Sequence, residues 1–97
     1  MGRKRKGIEF ERRVLKTLRE QGYYAVRSAG SFGTFDIIAV KQSEVLGVQC
    51  KMDGYLPPEE REEMVSVGED YGIKPYLAYR RKEGRKFVIV LEPVPKK

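Results

Sequence analysis

The chain has 97 residues, with 20 Lys or Arg against 14 Asp or Glu and a net charge of +6. This length predicts one domain. The chain has no histidine and one cysteine, which excludes histidine catalysis, an intrachain disulfide and a cysteine-based zinc site. No apolar run resembles a signal peptide or a membrane span, so we expect a cytoplasmic protein (in the host cytoplasm, if it is viral) with no membrane partner.

The positive charge is unevenly distributed. Residues 59–70 carry six acids against one base, a net −5, which leaves +11 on the rest of the chain. A surface this basic favours a polyanionic partner such as nucleic acid. The alternative is solubility in a thermophile-like composition, because Lys, Arg and Glu are abundant while Asn, His and Trp are absent.

The order of predicted elements is α-β-β-β-α-β-β, which indicates a mixed sheet with helices packed against it. A basic segment at residues 1–6, predicted to be mobile, precedes the first element. The predicted elements are a helix at about 8–21, strands at 23–27, 35–40 and 45–51, a helix at 58–71, and strands at 75–80 and 87–91.

Glu11 is a candidate functional residue because of its position on the first helix. At about 100° per residue it falls inside the apolar arc that contains Phe10 and Val14. A carboxylate that faces a core is costly unless a cation compensates it. A metal would compensate it. The alternatives are a structural ion pair with Lys51 or Arg27, or a side chain at the helix start whose carboxylate reaches solvent.

The second and third strands contain further candidates. A hairpin loop centred on residues 42–43 pairs Asp36 with Gln49, and alternation places Lys51 on the same face. The same alternation turns the Cys50 side chain to the other face, where we expect a core residue and not a nucleophile. An acid, an amide oxygen and an amine can hold a metal and a water beside a phosphate, which favours a metal-dependent nuclease. The alternative is three polar residues on the solvated side of a hairpin.

With Glu11 on a helix, Asp36 on a strand and Gln49-Cys50-Lys51 on the next, the chain resembles the PD-(D/E)xK nuclease superfamily, and more specifically the archaeal-type Holliday junction resolvases. The resemblance implies a single nuclease domain over residues 1–97, with an α/β, restriction-endonuclease-like mixed sheet flanked by helices. The likeness includes Arg5-Lys6-Gly7, Glu11-Arg12, Gly22-Tyr23, Val26-Arg27-Ser28-Ala29-Gly30-Ser31, Asp36 and Lys51.

The resemblance also implies roles for single residues. Glu11, Asp36 and Gln49 match the metal-site positions and Lys51 matches the catalytic lysine, with the Cys50 backbone carbonyl as a further metal ligand. Ser31 matches a catalytic serine near the scissile phosphate. The expected DNA-binding residues are Arg3, Lys4, Arg5, Lys6, Arg12, Arg27 and Ser31.

Gln49 departs from the pattern, because these resolvases usually have glutamate there. A glutamine still offers a carbonyl oxygen, and Gln-x-Lys occurs in other branches such as Mrr-type restriction endonucleases. One negative charge is nevertheless lost. This predicts weaker metal binding and a stronger dependence on Glu11.

The resemblance implies a Mg²⁺-dependent endonuclease, with Mn²⁺ as a substitute, that resolves four-way DNA junctions in recombination and repair. It would act as a homodimer by paired phosphodiester cleavage that leaves 5′-phosphates. One alternative is a related nuclease for flaps, mismatches or restriction sites. The other is an inactive DNA-binding module in which Gln49 marks a decayed site. The number of metal ions and any recombination protein partners stay open.

Overall fold

The computed structural model describes the backbone of residues 2–28 and 34–95, and the side chains of residues 7–28 and 34–95. Two helices and five strands follow in the predicted order. They are α1 (Gly2–Glu20), β1 (Tyr24–Arg27), β2 (Ile37–Lys41), β3 (Glu44–Cys50), α2 (Pro58–Tyr71), β4 (Lys74–Glu83) and β5 (Lys86–Pro93). Within these ranges, no helix has the length and apolar character needed to cross a membrane.

The strands form one mixed sheet in sequence order, β1 to β5. Neighbouring strands are antiparallel except β3 and β4, which are parallel. A parallel pair needs a crossover connection, and α2 lies in that connection. The predicted mixed sheet flanked by helices is therefore confirmed.

The two helices cover opposite faces of the sheet. Leu18 of α1 packs in one buried cluster with Ile37 of β2. Met64 of α2 belongs to a second cluster, against which Ile38 packs. Because adjacent strand residues point to opposite faces, the neighbours Ile37 and Ile38 place α1 and α2 on different sides.

The bounds of α2 agree with the sequence prediction, while those of α1 do not. Pro58 begins α2, and Gly72 ends it in the left-handed conformation at φ 71°, as glycine allows. By contrast, α1 begins at Gly2 instead of near Ile8. Lys and Arg are good helix formers, so the backbone of the basic segment continues the helix.

The hairpin between β2 and β3 has the predicted register. Lys41 pairs with Glu44 on either side of a two-residue turn, and this ladder continues as far as Ile37 opposite Val48. The predicted pairing of Asp36 with Gln49 is not part of the ladder. Instead, the Asp36 backbone N–H donates to the Val48 carbonyl at 2.8 Å, because the chain leaves the regular strand at this point.

Gly47 makes room for the residue that precedes Asp36. A Cβ atom at position 47 would lie 2.6 Å from ring carbons of Phe35, which is only 4% exposed. We expect Gly47→Ala to lower the free energy of unfolding by about 1–3 kcal/mol, the usual cost of overpacking a core.

Chemical denaturation measures this effect, and Gly7→Ala is the matched control. Gly7 lies in α1, and within the described part of the chain the added methyl group would meet no atom within 4 Å apart from its chain neighbours and the backbone of its own helix. Alanine at that helix position should stabilise the protein by about 0.5–1 kcal/mol. Gly47→Ala with wild-type stability would contradict the close contact with Phe35.

Candidate active site

Asp36 and Lys51 lie at the same end of the β2–β3 hairpin. Asp36 immediately precedes β2, and Lys51 immediately follows β3. The half-buried Asp36 carboxylate accepts a hydrogen bond through Oδ2 from the backbone N–H of Cys50 at 2.9 Å. The acid is therefore beside the segment Gln49-Cys50-Lys51, although outside the regular ladder.

Glu11 approaches this site from α1. It is half-buried, and its Oε1 accepts a hydrogen bond from Arg27 Nε at 3.2 Å. Burial and the negative charge of Asp36 raise the pKa of Glu11, while Arg27 lowers it. Glu11 thus has the ion pair with Arg27 that the sequence left open, and it also interacts electrostatically with Asp36.

The Asp36 carboxyl is also destabilised as an anion. Burial raises the pKa of Asp36 and the charge of Glu60 adds to this, while the Cys50 N–H, Lys51 and Arg27 lower it. Desolvated carboxylates that repel each other favour a cation beside them. The local electrostatics of Asp36 and Glu11 therefore suit a bound cation.

The raised pKa of Asp36 gives a testable dependence of stability on pH. A carboxyl with a higher pKa in the folded state binds its proton more tightly there, so stability falls as pH rises above the ordinary value of 3.8. In metal-free buffer, Asp36→Asn should therefore raise the midpoint temperature of unfolding at pH 7, and this gain should shrink towards zero below pH 3.8. Calorimetry of the variant and the wild type, at pH 7 and below pH 3.8, measures this difference. A variant that is less stable than the wild type at pH 7 would contradict the raised pKa.

Lys51 has a partner that the sequence analysis missed. Its Nζ lies 3.1 Å from Oε1 of Glu60, which is in the first turn of α2. Nothing in the local pattern predicts this contact, because the glutamates of that turn also suit the positive end of a helix. The pairing depends on how α2 crosses the sheet between β3 and β4.

Gln49 and Cys50 point to opposite faces of β3. Cys50 packs against the core cluster on the α1 side, as predicted. Burial, followed by the charges of Asp36 and Glu11, raises the pKa of its thiol, so the group is not primed as a nucleophile. Val48 belongs to that same cluster, so alternation turns the half-buried Gln49 towards the α2 side.

Several predicted residues are not part of the described site. Ser31 lies outside the described residues, as do the side chains of Arg3, Lys4, Arg5 and Lys6. Arg12 is exposed on α1. Among the residues that the structure describes, no three His, Cys, Asp or Glu side chains form a metal-binding group. Gln49 occupies the third metal-site position, and glutamine is not one of these four residue types.

A cleft of about 850 Å³ opens beside the site. Its lining includes Glu11, Lys51, Arg80 and Phe87. The Arg80 guanidinium lies 4.2 Å from the centre of the Phe87 ring. The cleft thus combines charged groups with an exposed aromatic ring, a combination that suits a nucleic acid strand.

Comparison with known proteins identifies the family. The family model of the archaeal Holliday junction resolvases (hjc) matches residues 2–95. The chain is similar to the crossover junction endodeoxyribonuclease Hjc of Methanocaldococcus jannaschii, with 41% identity over 80 residues that cover 78% of this chain and 59% of that protein. It is also similar to the protein of the same name from Archaeoglobus fulgidus, with 34% identity over 96 residues, 89% of this chain and 71% of the relative.

A solved structure shows the same fold. The chain resembles the A. fulgidus Hjc structure, described as a Holliday junction resolvase, with a TM-score of 0.74 and 33% identity. The match covers 92% of this chain and 73% of that one. The chain spans 59% of the length of the M. jannaschii relative. Because the family model matches nearly every residue and agrees with these relatives, the chain belongs to the archaeal Holliday junction resolvase family.

Proposed function

We propose that this chain is a Mg²⁺-dependent endodeoxyribonuclease that resolves four-way DNA junctions. The observation that carries the proposal is the position of the Asp36 carboxylate. It accepts a hydrogen bond from the Cys50 N–H beside Lys51, and its charge raises the pKa of Glu11. Membership of the resolvase family supports the activity, and so do the names of both relatives, crossover junction endodeoxyribonuclease.

The donor atoms fit a hard divalent cation. Carboxylate oxygens of Asp36 and Glu11, the side-chain oxygen of Gln49 and the backbone carbonyl of Cys50 would hold it. Mg²⁺ prefers oxygen and keeps several waters, so one or two carboxylates suffice. Mn²⁺ accepts the same oxygen ligands. When bound, such a cation polarises the phosphate and lowers the pKa of a coordinated water.

Lys51 would act directly on the reacting groups. Its ammonium orients the attacking water and offsets negative charge that builds on the phosphate in the transition state. The water loses a proton to the solvent as its oxygen bonds to phosphorus, the bond to the 3′ oxygen breaks, and that oxygen takes a proton from the solvent. The products are a 5′-phosphate and a 3′-hydroxyl.

The proposed DNA contacts are basic and do not read bases. Arg12 and Arg27 are exposed beside Glu11 and would bind phosphates, and the same role is proposed for Ser31 and the basic residues 3–6. Binding through phosphates selects the shape of the DNA more than its sequence. A four-way junction has near-twofold symmetry and needs two opposed cuts, so the active form would be a homodimer.

Cleavage of matched DNA substrates tests the proposal. The substrates are a synthetic mobile four-way junction, a linear duplex, a flap and a mismatched duplex, each with Mg²⁺, with Mn²⁺ or with a chelator. We expect paired nicks in opposite strands of the junction, only with metal, and a dimer by sedimentation. Preferred cutting of another substrate would favour a related nuclease, and binding without any cutting would favour an inactive module.

A further inference from the structure

The acidic segment at residues 59–70 contains a glutamate that contacts the active site but has no part in the proposed mechanism. Its Glu60 lies in the first turn of α2, with Oε1 3.1 Å from Lys51 Nζ. That oxygen is buried although 43% of the side chain is exposed, and it makes no hydrogen bond within the described part of the chain. The two atoms are close enough for an ion pair but are not aligned for a hydrogen bond. The Lys51 charge therefore compensates the charge on a buried oxygen.

A second contact from α2 reaches the other half of the site. Glu63, one helical turn after Glu60, accepts a hydrogen bond through Oε2 from the Thr34 hydroxyl at 3.0 Å. Thr34 is two residues before Asp36. Residues three apart on a helix lie on the same face, so one acidic face of α2 contacts the segments that carry Asp36 and Lys51.

The ion pair restricts a flexible side chain. Lysine has a long stem with many rotamers, so an unpartnered ammonium samples many positions. Gln49, two residues before Lys51, is a neutral amide and cannot form an ion pair with that charge. Glu60 supplies a carboxylate from outside the predicted site residues.

We propose that Glu60 is a positioning residue that holds the Lys51 ammonium in the active site. The inference rests on the proposed function for the role of Lys51 in cleavage. In this role Glu60 contacts neither the DNA nor the reacting atoms. Glu60 acts only through the place in which it keeps Lys51.

The test compares Glu60→Gln with Glu59→Gln. Glu59 is the adjacent, exposed glutamate of the same helical turn, so both variants lose the same charge near the same helix end. In single-turnover cleavage of a pre-bound four-way junction with Mg²⁺, Glu60→Gln should be about tenfold slower. Its dissociation constant for the junction should stay unchanged, and Glu59→Gln should match the wild type in both measurements.

A second measurement uses neither DNA nor metal. The rate at which an amine-reactive ester acylates Lys51, followed by peptide mass spectrometry, reports how firmly the ammonium is held. Loss of the ion pair should make this acylation about two- to fivefold faster in Glu60→Gln, the range expected for a partly exposed pair. Glu59→Gln should react like the wild type.

The outcomes separate the two proposals. If the wild type cuts no junction, the proposed function fails, while the acylation rates still decide whether Glu60 holds Lys51. Equal acylation of Lys51 in the wild type and Glu60→Gln would overturn the positioning role, and so would an unchanged single-turnover rate. Glu60→Asp, which keeps the charge on a shorter side chain, should recover part of the cleavage rate, and circular dichroism confirms that each variant is folded.

Discussion

Asp36→Asn is expected to lower the single-turnover rate of junction cleavage on the order of 10³-fold, the scale of losing one preorganised electrostatic group. The asparagine oxygen can still accept the Cys50 N–H that Asp36 Oδ2 accepts at 2.9 Å. The local structure should therefore persist while the charge that holds the cation is lost. The proposed junction contacts come from basic residues, so the dissociation constant should change little.

Lys51→Ala belongs to the same prediction and should lower the rate by about 10²- to 10³-fold, again with binding retained. Lys16→Ala is the matched control, because Lys16 is exposed on α1 and the substitution removes the same charge as Lys51→Ala. Electrophoretic binding and single-turnover cleavage on one labelled junction measure both quantities. Full activity in both Asp36→Asn and Lys51→Ala would remove this site from the mechanism.

Gln49→Glu is expected to lower the Mg²⁺ concentration for half-maximal cleavage by about tenfold. A carboxylate binds Mg²⁺ more tightly than an amide oxygen, and ligand charge is a main determinant of affinity at oxygen sites. The added charge would also lie next to Cys50, whose backbone N–H binds the Asp36 carboxylate, and the pKa of Asp36 is already raised. The metal-free variant should therefore be less stable than the wild type at pH 7.

Gln42→Glu is the control for the added charge. Gln42 is exposed in the turn at the other end of the β2–β3 hairpin. Titration calorimetry with Mn²⁺ and cleavage across a Mg²⁺ series should show a shift for Gln49→Glu and none for Gln42→Glu. An unchanged metal requirement in Gln49→Glu would mean that position 49 does not face the cation.

Local signals in the sequence predicted much of the fold. Proline at the start and glycine at the end gave both bounds of α2, since their backbone preferences act within one turn. The register of the hairpin followed from its two-residue turn. The strands β4 and β5 extend further than predicted, to Glu83 and from Lys86. The ladder continues there through charged residues, which an apolar pattern does not reveal.

The candidate site was predictable only in part. The amphipathic pattern of α1 singled out Glu11, and the hairpin brought Asp36 near Lys51. The ion pair between Lys51 and Glu60 could not be predicted, because it depends on the path of the crossover between β3 and α2. That path includes Gly54 in the left-handed region at φ 80°, and no periodic pattern determines where such a connection places the next helix.

Anomalous scattering from crystals soaked in Mn²⁺ tests the central claim most directly. We predict one peak at about 2.0–2.3 Å from an Asp36 carboxylate oxygen, the usual range for carboxylate oxygens on small divalent ions. Oxygens of Glu11, Gln49 and the Cys50 carbonyl should lie in or next to its coordination shell. Saturating Mn²⁺ that gives no peak at Asp36, or a peak elsewhere on the molecule only, would contradict a metal-dependent active site at this end of the hairpin.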